Sequence, residues 1–236
     1  MSQTLSEIFD TLKQSQDGYG ILDIFPAECS GFDSILDHEV RLTPAWLINE
    51  ERLRRGTGIP VDLGLSVLWS SRNVGAASGE LPGLYVGWGD VEGKLTSINY
   101  SDYPCPSPPN DIKGTKYDIA REKWAETWRL PTSEEFNELI TKCQWRWTVI
   151  KGVPGAQIIG KNNASIFLPA AGSRYGIEYE DAYYSGRYWT SGLRTESDDH
   201  RQAWALEFSQ MGTEVLPFVR HMGLNVRPVL EKDFEP

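Results

Sequence analysis

Cysteine, histidine and methionine are scarce in this chain of 236 residues, with three copies of each. The cysteines, Cys29, Cys105 and Cys143, are far apart and form no C-x-x-C pair. Their number and spacing therefore predict neither a zinc site nor a disulfide framework. The histidines are equally scattered along the chain and predict no cluster of metal ligands.

Long apolar runs and excess positive charge are also missing. No run is long enough to cross a membrane, and the first residues lack a basic region followed by an apolar core, so we expect no membrane insertion and synthesis as a cytoplasmic chain. A place in a phage particle stays open. Because 23 Lys and Arg face 33 Asp and Glu, the net charge is -10, and nucleic acid is not expected as a partner.

The catalytic motifs that can be read from sequence are absent. The chain contains no G-x-S-x-G, no phosphate-binding P-loop and no H-E-x-x-H. Adjacent acids such as Asp198 and Asp199 are usually solvated rather than paired for glycoside hydrolysis. We therefore expect a protein that is not an enzyme, with no cofactor and no metal site. The 9 Trp and 10 Tyr, by contrast, suit a binding domain, since such side chains carry much interface energy.

Two regions differ in pattern. Residues 1–58 read as a helical region, with a capping-box pattern at Thr4 and Glu7, and we expect it to serve attachment or homo-oligomerisation. Residues 59–236 read as an α+β domain of short irregular strands and two helices. One helix is expected within residues 117–124. A second follows Thr132, which forms a capping box with Glu135, and a hairpin turn is expected at 210–213.

Several segments of the second region are short apolar or aromatic runs, most of which contain glycine or proline. They are residues 61–69, Gly83-Leu84-Tyr85-Val86-Gly87-Trp88-Gly89-Asp90, Trp128-Arg129-Leu130-Pro131-Thr132, Ile166-Phe167-Leu168-Pro169-Ala170-Ala171-Gly172, Tyr188-Trp189-Thr190-Ser191 and Val226-Arg227-Pro228-Val229. In this order they resemble the Fibrobacter succinogenes major paralogous domain, abundant in Bacteroidetes. The resemblance covers about residues 60 to 231.

That family is similar to the formylglycine-generating-enzyme branch of the C-type lectin fold, so the resemblance implies a C-type-lectin-like domain. The formylglycine-generating enzymes use a pair of late cysteines, and no cysteine follows Cys143 here. Some family members are variable proteins of diversity-generating retroelements, in which a C-terminal segment is diversified on a constant fold. The resemblance implies that residues 183–225 are such a variable region.

Within residues 183–225, candidate framework residues alternate with candidate ligand-binding residues. The ligand-binding candidates are Tyr184, Arg187, Tyr188, Leu193, Arg194, His200, Arg201, Phe218, Arg220, His221 and Met222. We assign Trp69, Trp88, Trp128, Trp189 and Trp204 to the core, and expect Arg129 and Arg227 to tie loops together through several hydrogen bonds. Leu224 stands where the family usually has Phe, so its role stays open.

The expected function is display of a C-terminal surface that binds a protein or glycan ligand on another cell or particle. Two alternatives stay open at this point. The chain could be a structural component of a virion or appendage, or an oxidase-like enzyme of the formylglycine-generating branch. A reverse transcriptase and a near-identical template repeat beside the gene would select the first reading.

Overall fold

The computed structural model describes residues 56–93, 107–124, 127–196 and 201–232, all of which belong to the unit Glu50–Pro236. The helical region predicted for residues 1–58 lies outside the described residues apart from 56–58. Within the described part of the chain, strands outnumber the two helices, which agrees with an α+β or mainly β class. The helices are α1 (Ile119–Trp124) and α2 (Ser133–Lys142).

Eleven strands are present among the described residues. They are β1 (Pro60–Val61), β2 (Val67–Ser70), β3 (Gln144–Ile150), β4 (Val153–Ile159), β5 (Ser165–Pro169), β6 (Ser173–Tyr175), β7 (Glu178–Glu180), β8 (Ser185–Leu193), β9 (Gln202–Ser209), β10 (Thr213–Val219) and β11 (Val229–Glu231). They form three three-stranded sheets, ordered β1-β2-β11, β10-β9-β8 and β3-β4-β5, and the hairpin β6-β7. All pairs inside these sheets are antiparallel.

Both helices begin at side chains that accept backbone hydrogen bonds. Thr132 and Glu135 form the predicted capping box at the start of α2, and Phe136 and Leu139 bury its apolar stripe. The first helix begins later than the periodicity suggested. The Asp118 carboxylate accepts the N–H of Ala120 at 2.9 Å, so residue 118 precedes the helix rather than joining it.

The predicted hairpin turn is confirmed, since β9 and β10 pair antiparallel from Phe208 and Thr213 outward. In β8, by contrast, the pairing with β9 is irregular between Trp189 and Leu193. Before this irregularity, successive side chains of β8 point to opposite faces, so the strand contributes to both halves of the core. Tyr188 packs in one apolar cluster and Trp189 in the other.

Buried tryptophans connect the loop around residues 86–88 to β8. The indole of Trp88 donates to the carbonyl of Thr190 at 2.8 Å, and that of Trp189 donates to Val86 at 2.7 Å. Trp69 and Trp128 are buried as well, so the core assignment is confirmed for these four. It is wrong for Trp204, which is half-buried because it lies in a groove beside the start of α2.

Candidate ligand-binding surface

A buried arginine holds three segments of the framework together. Arg227 donates to the side-chain oxygen of Asn73 at 2.8 Å and to the carbonyls of Ser70 and Phe167 at 2.9 and 2.7 Å. Burial lowers the pKa of Arg227 to about 10, which still leaves it charged at neutral pH. The expected structural role is confirmed, because a planar guanidinium can serve several acceptors at once.

Arg129 links the start of α2 to the last strand. Its guanidinium donates to both carboxylate oxygens of Glu135, at 2.9 and 2.6 Å, and to Glu231 in β11 at 2.8 Å. Burial opposes the charge, but the two carboxylates outweigh it and raise the pKa of Arg129. The structural role predicted for this residue is confirmed as well.

Three of the predicted ligand-binding residues are buried instead. Tyr188 and Arg220 have no exposed surface, and Leu193 is 6% exposed. The phenol of Tyr188 donates to the carbonyl of Pro169 at 2.9 Å, and the guanidinium of Arg220 lies 5.8 Å from the ring centre of Trp88. Display is wrong for these three. Neighbouring segments cover both faces of β8 along most of its length, which buries Tyr188 and Leu193, and Arg220 is buried just after β10. Leu224 is also fully buried, which assigns it to the framework.

Arg187 is half-buried at the beginning of β8, where it organises its neighbours. Three of its nitrogens donate, to Glu207 at 2.7 Å, to Ser173 at 2.8 Å and to Asp181 at 2.7 Å. Its guanidinium also lies 5.5 Å from the ring centre of Phe218. Burial opposes the charge, but both carboxylates raise the pKa of Arg187 above its ordinary value. The side chain therefore ties the hairpin β6-β7 to the sheet β10-β9-β8.

Most of the remaining candidates lie at one end of the C-terminal sheet, where the N–H of Arg220 donates to the carbonyl of Arg201 at 2.8 Å. Arg194 donates to Gln202 at the far end of β8, and Arg201 is exposed beside it. His221 lies near the hairpin, with its ring centre 5.6 Å from that of Tyr175. Burial, with a smaller contribution from two arginines, lowers the pKa of His221. Phe218 and Met222 are half-buried against the core, Tyr184 is exposed, and His200 lies outside the described residues.

A cluster of tyrosines and one isoleucine, most of them exposed, lies just before and at the start of the predicted variable region. We call it the tyrosine surface: Tyr175, Ile177, Tyr179, Tyr183 and Tyr184. Ile177 is 85% exposed, and Tyr179, Tyr183 and Tyr184 are 59, 63 and 77% exposed. They belong to the hairpin β6-β7 and the loop that follows it. Only Tyr184 was among the sequence candidates, although the concentration of four tyrosines within residues 175–184 was a readable signal.

The backbone of this loop is firmly held. Tyr183 has a φ of 72°, which bulky side chains rarely adopt, and its N–H donates to the carbonyl of Ala170 at 2.7 Å. Gly172 allows the close approach, since a Cβ there would lie 2.0 Å from the carbonyl oxygen of Glu180. The loop thus holds exposed tyrosines in a defined conformation.

Acidic side chains lie next to the tyrosine surface. Glu178, Glu180 and Asp181 are exposed, and Asp181 also pairs with Arg187. No group of three or more His, Cys, Asp or Glu among the described residues is arranged to hold a metal ion. In the same part of the chain, no helix has the length and apolar character needed to span a membrane.

Comparison with known proteins identifies no relative. No family model, no curated protein and no solved structure matches the chain.

Proposed function

We propose that the protein is a non-catalytic ligand-binding protein that displays the tyrosine surface on a C-type-lectin-like scaffold. The observation that carries the proposal is the exposure of Ile177, Tyr179, Tyr183 and Tyr184 on the hairpin β6-β7 and the loop after it, whose backbone is held by the framework. Apolar and aromatic side chains are hydrated unfavourably when they are exposed in a free protein. Where several of them cluster, they mark a surface that binds a partner.

The chemistry of the surface favours a protein ligand. Tyrosine gives a large contact area with an apolar ring and a polar hydroxyl, and it loses little conformational entropy on binding. The ring of Tyr179 already packs edge-on against Tyr85, with ring centres 5.1 Å apart, so part of the surface is ordered before binding. The carboxylates next to the tyrosine surface complement basic groups at the edge of the ligand's contact surface.

The resemblance to the major paralogous domain extends the proposal to diversification. On this reading residues 183–225 vary between related copies while the framework is constant. Tyr183, Tyr184, Arg201 and His221 are the accessible positions where we expect variation, and Trp189, Leu224 and Arg227 those where we expect none. Sequencing the locus in sister isolates tests this, and equal variation at both groups would contradict it.

Binding at the tyrosine surface is tested with a random phage-displayed peptide library panned on the whole protein. Enriched peptides should bind the wild type and lose most of their affinity for Tyr179→Ala and Tyr184→Ala, because these variants remove exposed contact area. Val149→Ala is the matched control, since Val149 is similarly exposed, at 61%, on β3. Failure to enrich any peptide, or equal loss in the control, would contradict the proposal.

A further inference from the structure

A groove separate from the tyrosine surface lies between the start of α2 and the sheet β10-β9-β8. It has a volume of about 630 Å³. Its apolar wall includes Ile140, Leu193, Trp204 and Val215. None of the residues that line the groove belongs to the tyrosine surface.

The charge of this groove has one sign. Four carboxylates line it, and none of the described residues that line it is Lys, Arg or His. The four are Asp111, Glu134, Glu196 and Glu214. In a concave site with apolar walls, like charges reinforce one another and raise the local concentration of cations.

The arrangement of the carboxylates does not suit a single metal ion, because no three acidic groups in the described part of the chain converge as ligands would. They are instead distributed around a space that has an indole on its wall. An indole attracts organic cations through its ring face, and apolar walls accommodate the methylene stem of a long side chain. These two features match the side chain of arginine or lysine.

Gly192 keeps the indole of Trp204 accessible. A Cβ at residue 192 would lie 3.7 Å from Cδ1 of the Trp204 ring, which is an ordinary van der Waals distance. The φ of Gly192 is not in the left-handed region, so the backbone here does not require glycine. A larger side chain at this position is therefore compatible with the backbone and would occupy the groove beside the indole.

We propose that this groove binds an arginine or lysine side chain from a basic segment of a partner protein. The Trp204 ring contacts the cation, and the surrounding carboxylates neutralise it. The site is separate from the tyrosine surface and does not depend on the function proposed for that surface.

The test uses a fluorescein-labelled peptide of alternating arginine and glycine, with fluorescence anisotropy as the readout. The control peptide has citrulline at each arginine position, which keeps the shape and removes the charge. The wild type should bind the arginine peptide and not the citrulline peptide, and added salt should weaken binding, because exposed charges are screened.

Variants of the protein distinguish binding in the groove from nonspecific attraction of the peptide to an acidic protein. Trp204→Leu should weaken binding by about 5-fold through loss of the cation–ring contact. Glu214→Gln should weaken it by about 3-fold. Gly192→Leu should abolish it. The matched control Glu122→Gln makes the same charge change at an exposed residue of α1 and should leave affinity unchanged.

Three outcomes would overturn the proposal: equal binding of the citrulline peptide, equal weakening in Glu214→Gln and Glu122→Gln, or unchanged binding in Gly192→Leu. Absence of binding to the wild type would overturn it too. Gly192→Ala, with thermal unfolding, checks that position 192 accepts a side chain without loss of the fold. Tyr184→Ala should bind the arginine peptide like the wild type, and a loss there would place the peptide at the tyrosine surface instead.

Discussion

At the scale of single residues, buried charged groups hold the framework in place. Arg227 is fully buried and serves three oxygen acceptors from distant segments. Asp118 is also fully buried, and its carboxylate accepts N–H groups from Gly114, Ala120 and Leu130 at 2.9 Å each. Such groups are stable inside a protein only when their hydrogen bonds are satisfied. Arg227 and Asp118 therefore connect segments of the chain that apolar packing alone does not join.

The buried carboxyl of Asp118 predicts a dependence of stability on pH. Burial raises the pKa of Asp118 to about 6 from its ordinary 3.8, although the N–H donors act in the opposite direction. Between about pH 4 and pH 6 the folded protein therefore holds a proton that the unfolded chain has released. The contribution of this group to stability falls as pH rises through that window, by on the order of 3 kcal/mol.

Asp118→Asn isolates this effect, because the amide does not titrate. The stability difference between wild type and variant should be larger at about pH 4 than at about pH 7. Urea unfolding at both pH values measures it. Other carboxylates titrate in both proteins and cancel in the comparison. A difference that grows as pH rises would contradict the prediction.

At the scale of secondary-structure elements, short-range sequence signals predicted helix starts and hairpin turns better than they predicted the tyrosine surface. The capping box at Thr132 and the turn between β9 and β10 depend on a few neighbouring residues, and both are confirmed. Tyr175, Tyr179 and Tyr183 are spaced by four residues, which is typical of one helical face. They lie instead on a hairpin and the loop after it, where Gly172 permits the close backbone approach.

The left-handed backbone at Tyr183 predicts that stability and binding respond in opposite directions. Replacement by glycine removes the steric cost of φ 72° and adds backbone entropy to the unfolded chain. We expect Tyr183→Gly to leave the free energy of unfolding unchanged or raise it by up to about 1 kcal/mol. Affinity for the library-selected peptides should fall, because a 63% exposed ring is lost.

Chemical denaturation and anisotropy measure the two quantities in Tyr183→Gly. Tyr184→Gly is the control, since residue 184 does not have a positive φ and glycine brings no relief there. It should lose stability as well as affinity. A large loss of stability in Tyr183→Gly would instead show that the ring contributes to the core.

At the scale of the whole molecule, the described domain is closed by pairing of its last strand, β11, with β2 near its beginning. In β11, Val229 pairs with Trp69 and Leu230 pairs with Leu68 of β2. Val229 is fully buried and Leu230 is 2% exposed. Arg129 adds an ion pair to Glu231 at 2.6 Å. This closure holds the framework from which both candidate surfaces extend.

Truncation after Pro228 should therefore destabilise the protein by more than about 4 kcal/mol, because two buried apolar side chains and their strand pairing are lost. The measurement is the thermal transition followed by circular dichroism. Glu231→Gln is the control for the ion pair alone and should cost less than about 1 kcal/mol, since Glu231 is largely exposed. An unchanged transition in the truncated chain would contradict the proposed closure.

The sequence by itself determined the features that depend on neighbouring residues or on composition. These include the capping box of α2, the β9–β10 turn, and the burial of Trp69, Trp88, Trp128 and Trp189. Tertiary structure decided which strand faces are covered, and therefore which aromatic side chains are exposed. Tyr188 and Trp204 show the physical reason, since burial depends on segments distant in sequence: one side chain is enclosed by the core, and the other lies in a groove beside α2.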